Sequence, residues 1–203
     1  WRINLKKIIA EAGYLSIIRT LSQVIFLSIN AVIVSFLGLK AFGIYIAIVG
    51  TIEILVVALS CGLQNSNVII MAKVKSTANK LMINTVLWCV FVWVLSQVLF
   101  TIFYQYGLLP NFVSDLSSSG TSLLLHLKIY LGVKLLLYTM LPSLRSLGFI
   151  LFGAGLELLQ NFLTLMTTVV FFVTGWDGLP MVIIANYFSG LLCLCILGVK
   201  FLL

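Results

Sequence analysis

Charge is scarce in this sequence, and acidic charge scarcest: among 203 residues there are 12 Lys and Arg, 5 Asp and Glu and a single His, so charged residues make up 8%. An average soluble domain carries about 25% charged residues, so this chain lacks the polar surface that a water-soluble fold of its size needs. Neither paired catalytic carboxylates nor a nucleophile elbow, a phosphate-binding glycine loop or metal-ligand spacing occurs, and enzyme chemistry is not expected. There is also no CxxC pair. Cys61, Cys89, Cys193 and Cys195 lie within or near apolar runs, and Cys193 and Cys195, two apart, point to nearly opposite faces of a helix. They read as small packing residues rather than metal or redox groups. Long polar stretches are missing too, which leaves no room for a soluble domain.

What the chain does have is apolar length. Hydrophobic residues make up 62%, and the mean hydropathy is +1.23. The apolar runs are continuous rather than alternating segments of ~10 residues, which argues against a β-barrel. Helices, each satisfying its own backbone hydrogen bonds, are the other way to cross lipid. The expected fold is therefore all-α, a polytopic membrane bundle of six transmembrane helices. The net charge of +7 does not gather into a patch but falls at the ends of apolar runs, as membrane topology requires, so nucleic acid is not an expected partner.

Residues 1–13, with Trp1, Leu5, Ile8 and Ile9 against Arg2, Lys6, Lys7 and Glu11, form an interfacial amphipathic segment. Residues 14–203 form the transmembrane lobe. Its predicted spans are Leu15–Leu39, Phe42–Leu63, Leu81–Tyr106, Ser122–Ser146, Leu156–Gly175 and Pro180–Leu203, each near the ~20 residues that cross ~30 Å of hydrocarbon. No cleavable signal peptide is evident, and a chain opening on Trp1 rather than Met reads as a fragment or a trimmed chain.

Loop charges set the orientation. Arg2, Lys6 and Lys7, then Lys73, Lys75 and Lys80, then Arg145 and Lys200 fall on one side; Lys40, Asp115 and Asp177 fall on the other. The N-terminus and the C-terminus are expected in the cytoplasm, with the chain integral to a plasma (inner) membrane. Phe100, Phe103, Tyr104 and Tyr106 form an aromatic belt at the outer end of span three, and the Ser-rich stretch 107–120 lies outside.

Polar groups inside a membrane are costly, so they are where function is sought. Span one carries Arg19, Gln23 and Asn30, the last two seven apart on one face; Arg19 either snorkels to headgroups or has a buried role. Glu53, read as the one deep acid, lies near mid-depth in span two. His126, Tyr130, Lys134 and Tyr138 recur every four residues along span four, and Pro142 interrupts that helix before Arg145. Span five has Gln160, Asn161, Thr164, Thr167 and Thr168 on one face, and span six has Asn186 and Ser189. Two readings stand for such groups: interhelical hydrogen bonds that hold the bundle, or a substrate and ion pathway. The pathway candidates are Gln23, Asn30, Glu53, Tyr130, Lys134, Tyr138, Asn161, Thr164 and Asn186. Glu53 and Lys134, at similar depth, are expected to approach across a polar cavity. His126 reads as an interface residue or a proton relay, and Gly148, Gly153 and Gly155 as a flexible connection.

Several short segments together resemble the N-terminal half of a multidrug and toxin extrusion (MATE) transporter, within the wider flippase-like superfamily. They are Ile29-Asn30-Ala31-Val32-Ile33-Val34-Ser35-Phe36-Leu37-Gly38, Ala41-Phe42-Gly43-Ile44-Tyr45, Gly62-Leu63, Tyr130-Leu131, Leu144-Arg145-Ser146-Leu147-Gly148 and Gly178-Leu179-Pro180. The resemblance spans the chain, though each motif is short and degenerate. It implies a twelve-helix fold of two lobes, related as parallel repeats, of which this length supplies one; the second would be a missing C-terminal half or another copy. It also implies export of small organic or amphipathic solutes by alternating access, coupled to H⁺ or Na⁺, with no other cofactor. Asn30 stands where bacterial members are often acidic. Asn cannot exchange a proton, so coupling would shift to Glu53 or to the second lobe. Met181-Val182-Ile183-Ile184-Ala185 replaces the Gly- and Ala-rich opening of the family's sixth helix. A lipid-linked oligosaccharide flippase shares the first-helix signals, and is favoured if Arg19, Lys128, Lys134 and Arg145 face one cavity. A non-transporting membrane subunit or a degenerate half-transporter is the third reading.

Overall fold

Each long apolar run folds as a helix, for the reason composition gives: in lipid no water is available to satisfy a backbone amide. The computed structural model describes residues 5–73, 78–105, 121–176 and 178–202. They form α1 (Leu5–Ser60), α2 (Leu63–Lys73), α3 (Ala78–Gln105), α4 (Thr121–Ser146), α5 (Ile150–Val173) and α6 (Leu179–Leu202). No strand occurs among the described residues. The protein is an all-α bundle, and five of its helices (all but α2) are long and apolar enough to cross a membrane. Residues 1–4, Lys75, the 107–120 stretch with Asp115, Tyr106 and Asp177 lie outside the described residues, as do the side chains of Lys73, Phe100, Phe103, Tyr104 and Arg145.

The first helix is two helices in one. Gly38 has φ +78° and ψ 169°, a non-helical conformation inside α1. Residues 10–37 would run about 42 Å as a helix and residues 39–60 about 33 Å, so each arm is long enough for one crossing. The arms double back on each other, because Ser22, sixteen residues before Gly38, and Glu53, fifteen after it, line the same cavity. The expected pair of spans is therefore present, divided at Gly38 rather than at Lys40 and Ala41. That backbone region is essentially reserved for glycine.

Two differences from expectation bear on the site. The second arm ends at Ser60, not Leu63, where Cys61 (φ +48°) and Gly62 (φ +74°) turn the chain. The connection between the second and third expected spans contains α2, too short to span but polar enough to pack along the bundle: Gln64 donates to the Tyr138 hydroxyl at 2.8 Å, and Asn67 donates to Thr85 Oγ1 at 2.8 Å. At the other boundary α5 begins six residues before the expected Leu156. Gly153 and Gly155 are helical rather than a flexible connection, and only Gly148, at φ +92°, turns the chain. α4 runs on through Pro142 to Ser146, the end expected for that span.

α4 occupies the centre and contacts all five other helices. Tyr130, Leu135, Thr139, Ser143 and Leu144 on it are buried. The outer faces are apolar: Leu21, Ile54, Leu87, Phe91, Val94 and Val173 are exposed. Polar groups turn inward instead, with Thr164 bonded to Ser189 at 2.6 Å between α5 and α6. In water such an apolar surface would aggregate; in lipid it is the solvated face. The α3–α4 seam is close enough that Trp93 Nε1 donates to the Lys128 carbonyl at 2.8 Å, and a Cβ on Gly132 would come within 2.7 Å of that same indole nitrogen.

Gly38→Val should lower stability by about 1–3 kcal/mol, the cost of a side chain in that backbone region. Gly43→Ala, in open space within the second arm, should be neutral or stabilising; reversible unfolding in mixed micelles measures both. Gly132→Ala should cost about 1–3 kcal/mol by forcing Trp93 aside, accompanied by a change in tryptophan fluorescence.

Candidate functional site: a charged cavity beside the central helix

Four helical segments surround a cavity of about 470 Å³. The first arm of α1 supplies Ser22, and the second supplies Glu53, Val56 and Val57. The central helix supplies Lys134, Leu137, Tyr138, Leu141 and Pro142, and α5 supplies Glu157, Gln160 and Asn161. The periodicities explain the placement. Lys134, Tyr138 and Pro142 are four apart, and Glu157 with Gln160 and Asn161 are three and four apart, so each set shares one helix face.

The site lies in the half of the bundle nearer Ser60. Glu53 is seven residues before Ser60 and Glu157 seven after Ile150, each about 10 Å along its helix. Both are therefore well inside a span. The expectation that Glu53 is the one deep acid is corrected: Glu157 lines the same cavity. It was missed because the fifth span was drawn from Leu156, which left Glu157 looking terminal. Glu157 is engaged in further contacts of its own.

Several groups hold the walls in place. Asn161 Nδ2 donates to Ser22 Oγ at 2.7 Å, joining α5 to the first arm. Tyr138 is held by Gln64 of α2. The Lys134 ammonium sits 5.6 Å from the centre of the Tyr130 ring, a cation–π distance. Glu53 is exposed to the cavity and makes no hydrogen bond or ion pair among the described residues. Because Pro142 has no N–H, the Tyr138 carbonyl loses its helical donor beside the cavity that both residues line.

Of the nine pathway candidates, Glu53, Lys134, Tyr138 and Asn161 line the cavity together. Tyr130 is buried, with the Lys134 ammonium over its ring. Asn186 forms a neighbouring contact, donating to the Tyr45 hydroxyl at 3.3 Å and to the Val182 carbonyl at 2.9 Å. Thr164 is buried in the α5–α6 seam through its bond to Ser189, the hydrogen-bonding reading of that stripe. Gln23 is exposed and is not part of the lining. Asn30 is half-buried, its Oδ1 enclosed with no hydrogen-bond partner; Thr168 Oγ1 shares that condition. His126 is half-buried against Tyr187, with Nδ1 3.2 Å from the Tyr187 hydroxyl.

Sequence reasoning passed over Ser22 and Gln160 as cavity residues, and Gln64 as the residue that bonds the cavity's Tyr138. The signal for Gln160 was there in its spacing to Asn161. For Ser22 and Gln64 there was none, since their partners are 139 and 74 residues away. Comparison with protein-family models, with curated proteins and with solved structures gives no match.

The Gln64→Leu and Tyr138→Phe substitutions should couple, with an interaction energy of about 0.5–1.5 kcal/mol, the range for interhelical side-chain bonds in membranes. A double-mutant cycle on unfolding in mixed micelles measures it, and additive effects would mean that α2 does not hold Tyr138.

Proposed function

We propose that this chain is a membrane lobe of a secondary active transporter that exports small organic or amphipathic solutes by alternating access, coupled to H⁺ or Na⁺. The observation that carries the reading is the cavity. Carboxylate, ammonium, phenol and amides converge at one depth within an apolar bundle, where each charge is expensive unless it is used. Packing alone does not ask for a space of about 470 Å³, which is the size of a small-molecule site. The short motifs that resemble a MATE N-terminal half agree with it, and so does the hairpin reversal at Gly38, which closes the first of those motifs.

In this reading the Ser60 end faces the cytoplasm of a plasma (inner) membrane, because Lys80 lies in the first turn of α3 and Lys200 sits over the Phe149 ring before α5, and positive charge stays inside. The cavity then lies in the cytoplasmic half, where a solute awaiting export would enter. A second lobe, from further chain or another copy, completes the path. Since Asn30 cannot exchange a proton, the proton-exchanging or ion-binding group is an acid of the cavity, Glu53 or Glu157, or lies in the second lobe. The flippase reading asks for Arg19, Lys128, Lys134 and Arg145 around one cavity. Among the described residues Lys134 is the cation in the lining, while Lys128 donates to Thr101 at 3.2 Å, which weighs against it.

Protein in proteoliposomes, given separate H⁺ and Na⁺ gradients, should move a panel of amphipathic solutes with one gradient and not the other. Transport indifferent to both would sink the coupled mechanism. Glu53→Gln and Lys134→Met should each reduce that flux about tenfold or more, as expected when one charge of a functional pair is removed, at unchanged protein level in the membrane.

A further inference from the structure

The geometry points to a zwitterion with an apolar tail as the ligand of this cavity. This rests on the reading of the cavity as a solute site and goes on to its charge chemistry. Glu53 and Lys134 line the same space, carry opposite charges and are not joined by an ion pair among the described residues. Lys134 is instead steadied over the Tyr130 ring. Opposite charges in a low-dielectric wall attract strongly, and a pair left open across a cavity is complementary to a ligand with the reverse arrangement: an ammonium for Glu53 and an anionic group for Lys134. A singly charged ligand would leave either Glu53 or Lys134 without a counterion.

The rest of the lining fits the same ligand. Val56, Val57, Leu137, Leu141 and Pro142 give an apolar wall for a tail. Asn161 is already spent on Ser22, and Tyr138 accepts from Gln64 while its own proton stays available to an anionic group. Glu157 is engaged in other contacts, which leaves Glu53 to receive the ammonium. The shared chemistry, an amine and an acid on a short apolar body, is found both in soluble amphipathic zwitterions and in zwitterionic lipid headgroups.

Three molecules of similar shape separate charge from size: phenylalanine, 2-phenylethylamine and 3-phenylpropionate. Titrated into the purified chain in a non-ionic detergent, phenylalanine should bind about tenfold or more tightly than either singly charged analogue, as expected when a wall charge is left unmatched. Glu53→Gln should bring phenylpropionate level with phenylalanine, and Lys134→Gln should do so for phenylethylamine. Repeating the titration in nanodiscs of phosphatidylethanolamine and of phosphatidylglycerol identifies the source. Suppression of phenylalanine binding by the former alone assigns the site to a zwitterionic headgroup, and equal binding in both assigns it to a soluble zwitterion. If wild-type protein binds phenylethylamine or phenylpropionate as tightly as phenylalanine, the zwitterion inference is overturned while the solute cavity stands. If none of the three binds in any setting, both are overturned.

Discussion

An ammonium group on the innermost helix of an apolar bundle has to be housed, and much of this structure follows from how it is done. α4 touches every other helix, and Lys134 on it is half-buried. Its charge is met by the face of Tyr130 and by a cavity whose far wall carries Glu53. Each neighbour has a task in that arrangement. The reversal at Gly38 brings Glu53 back alongside Ser22, the Asn161–Ser22 bond ties α5 to the first arm, and α2 holds Tyr138 from behind.

The second constraint is the solvent. Because lipid is as apolar as a leucine side chain, helices in it are held by close packing and hydrogen bonds rather than by expulsion of water. The distribution of side chains follows. Thr139, Ser143, Thr164, Thr168 and Ser189 are buried, while large aliphatic and aromatic residues cover the outside. Small hydroxyls serve twice in such seams, since they take little space and can return their proton to the preceding turn, as Thr139 and Ser143 do. Asn30 and Thr168 depart from the pattern, each with an enclosed oxygen that has no partner.

Much of the fold was legible in the sequence, and the exceptions have physical causes. Continuous apolar length is a local property, so the crossings were visible to within a few residues at most ends. α2 was hidden because its stability comes from Asn67 reaching Thr85 and Gln64 reaching Tyr138, and not from any apolar run. The early start of α5 was hidden because Gly153 and Gly155 suggested a break, whereas both are helical in the bundle. Composition also carried much of the site. Glu53, Lys134, Tyr138 and Asn161 were recognisable as polar groups that lipid would not tolerate on the outside. Gln23 was recognisable in the same way, yet lies exposed and away from the cavity.

By itself the sequence determined the solvent, the helical class, the approximate crossings and the short list of residues whose polarity demands an explanation. Each of these depends on local composition and period, which the chain states directly. Only the tertiary structure decided which polar residues meet. It placed Glu157 in the same cavity as Glu53, left Gln23 outside it and set Thr164 in a seam. Those outcomes depend on how each helix is rotated about its own axis and where its neighbours cross it, and a period along one helix does not contain that information.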